Sequence, residues 1–379
     1  MDLIRILQVF TIMNRGGAES MIMNYYRNLD RNKFQFDFLV HRQEKADFDD
    51  EIESLGGQIY RFAPINPFFP KKYYNALRVF FKAHPKYSII HSHLNTFSFF
   101  PLKIAGEFNI PCRIAHAHIA IDKVNIYSFL SHKESTKETL KKIIKFQLKK
   151  RIKNDATHLF SCGEKAGNWL FGKTPFTIMN NAIDAEKFKY NKFLSATYRK
   201  DFGLENELVI GHVGRFSSQK NHSFLLQIFA ALLIKQPNSS LILIGDGPLR
   251  ISLKKEAERL KIINKVHFLG VRTDIPELYQ MIDMFVFPSF YEGLPVTLIE
   301  AQSAGLKVFA SEKITKEVSI TNDITYLSIT INPDIWAEKI LEKISETKKD
   351  NYELIKNKGY DIHKNTEIVQ EFYLKQAVK

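Results

Sequence analysis

Cysteine is scarce, with only Cys112 and Cys162 in 379 residues. Two thiols so far apart make neither a disulfide framework nor a zinc-ligand pattern, which fits a reducing compartment. Long apolar runs are also missing. No stretch approaches the roughly 18 apolar residues of a membrane span. The first ten residues carry an early acid, Asp2, and too short an apolar run for a secretory signal. The sequence therefore predicts a cytoplasmic protein, at most peripheral on the inner face of a membrane. Acids are outnumbered, 41 against 54 Lys and Arg, for a net charge of +13. That excess favours an anionic partner: nucleic acid, lipid headgroups or a phosphorylated substrate.

The chain does have ample core-forming material. Hydrophobic residues make up 45% and aromatics 13%, which excludes a disordered chain. Single cores rarely grow beyond about 250–300 residues, so 379 residues predict two domains. Short apolar runs alternate with helical patterns from Leu3–Thr11 onward, with further strands expected at Gln35–Val40, Ser88–His91, Cys112–His118 and His158–Cys162. A second series begins after Asp184 with Leu208–His212, Ser240–Ile244, Lys265–Leu269, Met284–Pro288 and Val308–Ala310. Strands alternating with helices signify parallel sheets covered on both faces, here two doubly wound sheets in tandem. The polar stretch from Ala182 to Leu204 reads as an irregular linker, and Asn365–Val378 as an amphipathic helix. The expected division is 1–184, a C-terminal domain 185–361, and a last helix 362–379 that packs back on the first domain.

Ligands of such sheets bind at the carboxyl ends of strands, so the loops there carry the chemistry. Tyr291-Glu-Gly-Leu-Pro-Val-Thr-Leu-Ile-Glu300 puts one carboxylate, Glu292, in a Gly/Pro turn and another, Glu300, in the apolar helix that Pro295 opens. A carboxylate on an apolar helix needs a polar partner. The arrangement suits a phosphate ester bearing several hydroxyls, or else is a turn followed by a half-exposed glutamate. Gly16-Gly17 follows the first strand and precedes a helix, where amides can meet a phosphate, although such a pair is often only a turn. Arg215 and Lys220 sit on the loop after Leu208–His212 and reach either a diphosphate or solvent.

Two further patterns stand out. His91, His93, His116 and His118 form two His-x-His pairs, the second on one face of a strand, and any of the four can also be a structural histidine with its bonds satisfied. Such a pair can ligate metal, but no acids accompany these, and a contact to a sugar or acceptor hydroxyl is the expectation. The run from Ser131 to Lys153 has an apolar stripe, Leu140, Ile144, Leu148 and Ile152, with lysines on the other faces. A basic amphipathic helix at 137–153, with Phe129, Leu130 and Phe146 nearby, suits an anionic membrane surface, and equally suits a helix packed on the sheet with solvated lysines.

Taken in order, Gly16-Gly17, Gly214-Arg215 with Lys220-Asn221, Ile244-Gly-Asp-Gly-Pro-Leu249 and Glu292-x7-Glu300 resemble the retaining, nucleotide-sugar-dependent glycosyltransferases of family 4. The likeness covers nearly the whole chain and is greatest for bacterial transferases of capsular and exopolysaccharide repeat units. It implies the GT-B fold, two Rossmann-like domains facing across a cleft. It also implies hexosyl or N-acetylhexosaminyl transfer from a nucleotide diphosphate sugar, UDP-linked by preference, to a hydroxyl of a lipid-linked saccharide.

By that resemblance, Glu300 would hold the ribose and Glu292 the donor sugar, with the backbone of Gly293, Leu294 and Val296 near sugar and phosphate. Arg215 and Lys220, with Gly214 beside them, would neutralise the leaving diphosphate. Gly16 and Gly17 would touch the same phosphates, and His118 the sugar and acceptor. Gly245 and the loop carrying Arg272 would lie near the base. No cofactor or metal is implied. The segment Ser311–Glu317 lacks the Gly-Gly-x-x-Glu that many relatives carry, so no donor contact is assigned to it. The alternatives are a sugar-nucleotide epimerase on the same fold and a basic nucleic-acid-binding protein. Against the latter, no recognition motif or interleaved stacking aromatics are found.

Overall fold

The computed structural model describes residues 3–119 and 136–377, with side chains from 143 onward in the second stretch. Phe129, Leu130 and the start of the basic run lie outside the described residues. The chain divides into two compact units, residues 1–182 with 362–379, and residues 183–361.

The first unit contains β1 (Ile4–Phe10), β2 (Phe34–Val40), β3 (Ile59–Arg61), β4 (Ile89–Ser92), β5 (Cys112–Ala117), β6 (His158–Ser161) and β7 (Thr177–Ile178). They form one sheet in the order β3-β2-β1-β4-β5-β6-β7. Every pairing is parallel, so all seven strands end at one edge. β2 is buried along its whole length, as a strand covered on both faces must be. The C-terminal helix Ile362–Ala377 belongs to this unit. It buries Ile362, Val369 and Tyr373 in the same core as Ile6, Phe36 and Ile114.

The second unit contains β8 (Leu208–Val213), β9 (Ser239–Ile244), β10 (Val266–Gly270), β11 (Met284–Phe287), β12 (Lys307–Ser311) and β13 (Ile324–Leu327). Their order is β10-β9-β8-β11-β12-β13, again all parallel. This is the doubly wound order whose direction of winding reverses between its first and fourth strands, here β8 and β11. Ligands of such sheets bind outside the carboxyl ends of the strands at that reversal.

Three local readings change. The stretch from Ala182 to Leu204 is not irregular: it forms helices Ala185–Phe188 and Lys192–Asp201. Its polar residues build caps, since Asn191 accepts from the amides of Phe193 and Leu194. Pro295 is the cap of its helix rather than the first helical residue, with Val296 leading. Helices Lys71–Ala83 and Pro333–Leu341 and the edge strand β13 are additions that the sequence reading passes over.

Candidate active site

In the second unit the loops after β8 and β11 are fastened together. The Ser218–Lys220 turn gives its Gln219 carbonyl to the Phe290 amide at 2.9 Å. The Gln219 side chain donates to the Tyr291 carbonyl at 2.9 Å. Asn221, left-handed at φ 55°, donates from Nδ2 to the Pro288 carbonyl at 3.2 Å and opens the His222–Lys235 helix. Asn221 and Tyr291 stand in stretches the sequence singled out, but their links, and those of Gln219 and Phe290, could not be read there, because they run to backbone groups about 70 positions away.

The clasp brings Lys220 to Glu292, Nζ to Oε1 at 2.8 Å, with side chains only 15% and 10% exposed. Lys220 is therefore no solvated loop lysine. Its ammonium also lies 4.6 Å over the Phe287 ring, a favourable cation–π contact. A desolvated pair like this is costly to break from one side, because the remaining charge stays buried. Arg215, on the same loop, is exposed. Gly214 allows Lys220 to lie flat: a Cβ there would meet Lys220 Cε at 3.1 Å. Gly245, at φ 134°, lies against Gly214, and a Cβ on it would sit 2.1 Å from the Gly214 carbonyl oxygen. Gly245 is required by the loop packing itself, while a side chain at Gly214 would only crowd Lys220.

Glu300 sits within the Val296–Ser303 helix. Desolvation pushes its carboxyl up to about 7, and a hydrogen bond from the Tyr279 hydroxyl at 3.2 Å pulls the other way. Tyr279 is the polar partner that the sequence required without naming. Gly293 is exposed, Leu294 buried and Val296 half-buried, so the helix mouth mixes open backbone with an apolar wall. Arg272 is exposed and engaged with Asp274 two residues on.

In the first unit, Gly16 caps the Gly17–Asn28 helix after β1. A Cβ on Gly16 would collide with the Glu19 carboxylate at 2.3 Å, whereas the space beside Gly17 is empty to 4 Å. Gly17 thus answers no packing need, while its place at a helix start suits an approaching anion. His118 follows β5 at the same edge and is 8% exposed. It stacks on His116, and both are drawn into a cluster with His91 and His93. His91, His93 and His116 offer nitrogens within 4.8 Å of one another.

The basic helix spans Thr136–Asp155. Its stripe faces inward, with Leu148 and Ile152 buried, while Lys150, Arg151 and Lys153 are exposed. Among the described residues, no helix is long and apolar enough to cross a membrane.

Comparison with known proteins identifies this architecture. The family model "Glycosyltransferase Family 4" matches residues 15–187, and "Glycosyl transferases group 1" matches residues 195–360. A glycosyltransferase of Bacillus subtilis (strain 168), EpsF, is 35% identical over 97% of this chain and 96% of its own. CapH, a capsular polysaccharide biosynthesis glycosyltransferase of Staphylococcus aureus, is 26% identical over 99% of this chain and 100% of its own. An Escherichia coli UDP-Gal:alpha-D-GlcNAc-diphosphoundecaprenol alpha-1,3-galactosyltransferase is 26% identical over 77% of this chain and 76% of its own. Among solved structures, Anabaena HepE in complex with UDP superimposes with a TM-score of 0.76 at 16% identity, covering 98% of this chain and 100% of that one. The chain belongs to glycosyltransferase family 4, and its two parallel-sheet domains have the GT-B fold. It is a glycosyltransferase.

Proposed function

We propose that this chain moves a hexose or N-acetylhexosamine from a UDP-linked sugar to a hydroxyl of a lipid-linked saccharide during surface polysaccharide synthesis, retaining the anomeric configuration and needing no metal. The observation that carries this reading is the buried Lys220–Glu292 pair, clasped at the point where the second sheet reverses its winding. Transfer leaves a diphosphate, whose charge Lys220, Arg215 and the start of the Val296–Ser303 helix would offset. A cation supplied by protein side chains removes the need for a divalent ion there. Glu292 then faces the sugar hydroxyls and Glu300 the ribose, with Tyr279 orienting the latter.

In the first unit the start of the Gly17–Asn28 helix suits an anionic group, and His118 a sugar hydroxyl. The family resemblance assigns same-face attack, with the departing phosphate oxygen taking the proton of the acceptor hydroxyl. UDP is supported by the named ligand of the HepE structure, and a lipid-linked acceptor by the name of the Escherichia coli relative. The first unit also offers a lipid-facing chemistry of its own. Phe68 and Phe69 are 56% and 78% exposed just before Lys71 and Lys72, at the start of a helix that packs against Phe99–Glu107. The Thr136–Asp155 helix packs on that same helix, and its Lys150 and Arg151 are exposed.

Incubation with UDP-sugars and lipid-linked acceptors, with EDTA present, is the decisive assay. Transfer of sugar with UDP release is expected, and Lys220→Ala should lower turnover about 100-fold or more, the scale of losing one preorganised charge donor. Epimerisation without any acceptor, or transfer abolished by EDTA, would overturn the respective parts of the reading. Flotation with anionic vesicles checks the membrane part: wild type should float, and charge reversal at Lys149, Lys150 and Lys153 should reduce it.

A further inference from the structure

The histidine cluster of the first unit is larger than the one residue, His118, that the proposed transfer uses. It consists of two hydrogen-bonded rows. In the first, the Gln8 side-chain oxygen lies 2.8 Å from His93 Nε2, and His93 Nδ1 lies 2.8 Å from His118 Nε2. In the second, the Tyr373 hydroxyl lies 2.8 Å from His91 Nδ1, and His91 Nε2 lies 3.0 Å from His116 Nδ1. The rows lie face to face, His91 on His93 at 4.3 Å and His116 on His118 at 4.2 Å.

A metal ion fits this arrangement poorly. The facing nitrogens within each row already bond to each other, and lone pairs of stacked rings run side by side instead of converging. Burial instead holds the basicity of all four imidazoles far below its ordinary level, so each is neutral, with one N–H and one bare nitrogen.

In a chain of neutral imidazoles, the group at the end decides where every proton sits. The Gln8 oxygen can only accept, so His93 carries its proton on Nε2 and leaves Nδ1 bare. His118 must then donate from Nε2, which leaves its own Nδ1 bare. Among the described residues, that Nδ1 is buried and has no partner. The second row ends on the Tyr373 hydroxyl, which can donate or accept and which the Gln8 side chain also meets, so Gln8 stands at the head of both rows.

We propose that Gln8 and His93 are positioning residues that lock His118 into one tautomer, so that its Nδ1 accepts a hydrogen bond from a substrate hydroxyl. The proposal rests on reading the chain as a sugar transferase that uses His118. An unpaired buried acceptor is unfavourable in the free protein, and a hydroxyl that donates to it relieves the loss. A phosphate oxygen or a fluorine has no proton to give, so the same lone pair rejects them. The locked tautomer thus selects a sugar hydroxyl at this position.

Two measurements test this. Nitrogen-15 correlation spectra of histidine-labelled wild type should show His93 and His118 both protonated on Nε2. Protonation of His118 on Nδ1 would overturn the proposal without any variant. Gln8→Met and Gln8→Leu should then give mixed tautomers at His118 and about five- to tenfold lower kcat, the worth of one neutral hydrogen bond. Affinity for UDP alone should be unchanged in both. Normal kcat in either folded variant defeats the positioning role alone. A wild type with the expected tautomers that neither binds UDP nor transfers sugar defeats the transferase reading, and the substrate role with it.

Discussion

Glu300 has an acidity that makes its role measurable. Its folded-state pKa is raised to about 7 by desolvation, from 4.5. Between those values the folded protein keeps a proton that the unfolded chain has released, so stability falls as pH rises from about 4.5 to 7. Above pH 7 the ionised carboxylate costs about 3 kcal/mol. Glu300→Gln should therefore raise the thermal midpoint of the free protein at pH 8 by several degrees while abolishing stabilisation by UDP. If Glu300 holds the ribose as proposed, calorimetry should also show wild-type UDP affinity weakening as pH drops from 7 to 5, because hydroxyls donate more strongly to a carboxylate than to the neutral acid. A pH-independent affinity would remove Glu300 from the ribose.

Two glycines separate packing from function at the same scale. Gly245→Ala forces a side chain into the Gly214 carbonyl at a backbone angle only glycine tolerates, and should unfold the loop or cost about 1–3 kcal/mol. Gly17→Ala enters empty space at a helix start and should fold as well as wild type. Its activity should nevertheless fall, since a methyl group would occupy the ground of an incoming phosphate. Equal melting temperatures with unequal turnover is the expected pair of results; full activity of Gly17→Ala would show that the glycine is only a turn.

Among the elements, the sequence made the alternation of strands and helices legible because fully buried parallel strands read as short apolar runs between Gly- and Pro-rich loops. Glu300 was visible as a charge on an apolar helix, and Glu292 as a charge in the Gly/Pro turn that opens it. Tyr279 was not, because its hydroxyl meets Glu300 across 21 positions of sequence and tyrosine carries no signal of its own. Gln8 was hidden likewise: strand alternation put the second His pair on one face, but only the adjacency of β1, β4 and β5 brings Gln8 to His93, 85 positions away. The clasp between the Ser218–Lys220 turn and Phe290 uses backbone groups, which no residue type announces. Helix Lys192–Asp201 was mistaken for linker because polar composition describes its outer face, while Asn191 supplies the cap that starts it.

At the level of the whole molecule, the first unit is discontinuous in sequence. The helix Ile362–Ala377 fills part of its core, and Tyr373, fully buried, terminates one row of histidines. Deleting residues 362–379 should expose that core and lower the stability of the first unit by several kcal/mol, as removal of three or more buried side chains does. Proteolysis should then digest residues 1–182 preferentially. The second unit has its own core around Leu241, Val286 and Trp336 and should survive with UDP binding intact. Simultaneous loss of both units would contradict the division.

That interruption also sets a timetable. A ribosome delivers residues 183–361 before it delivers the helix that completes residues 1–182. Residues 183–361 can therefore reach their final form on the nascent chain while residues 1–182 still lack the helix that fills part of their core. Until that helix emerges, the apolar surface that Ile362, Val369 and Tyr373 cover in the finished fold stays exposed to solvent.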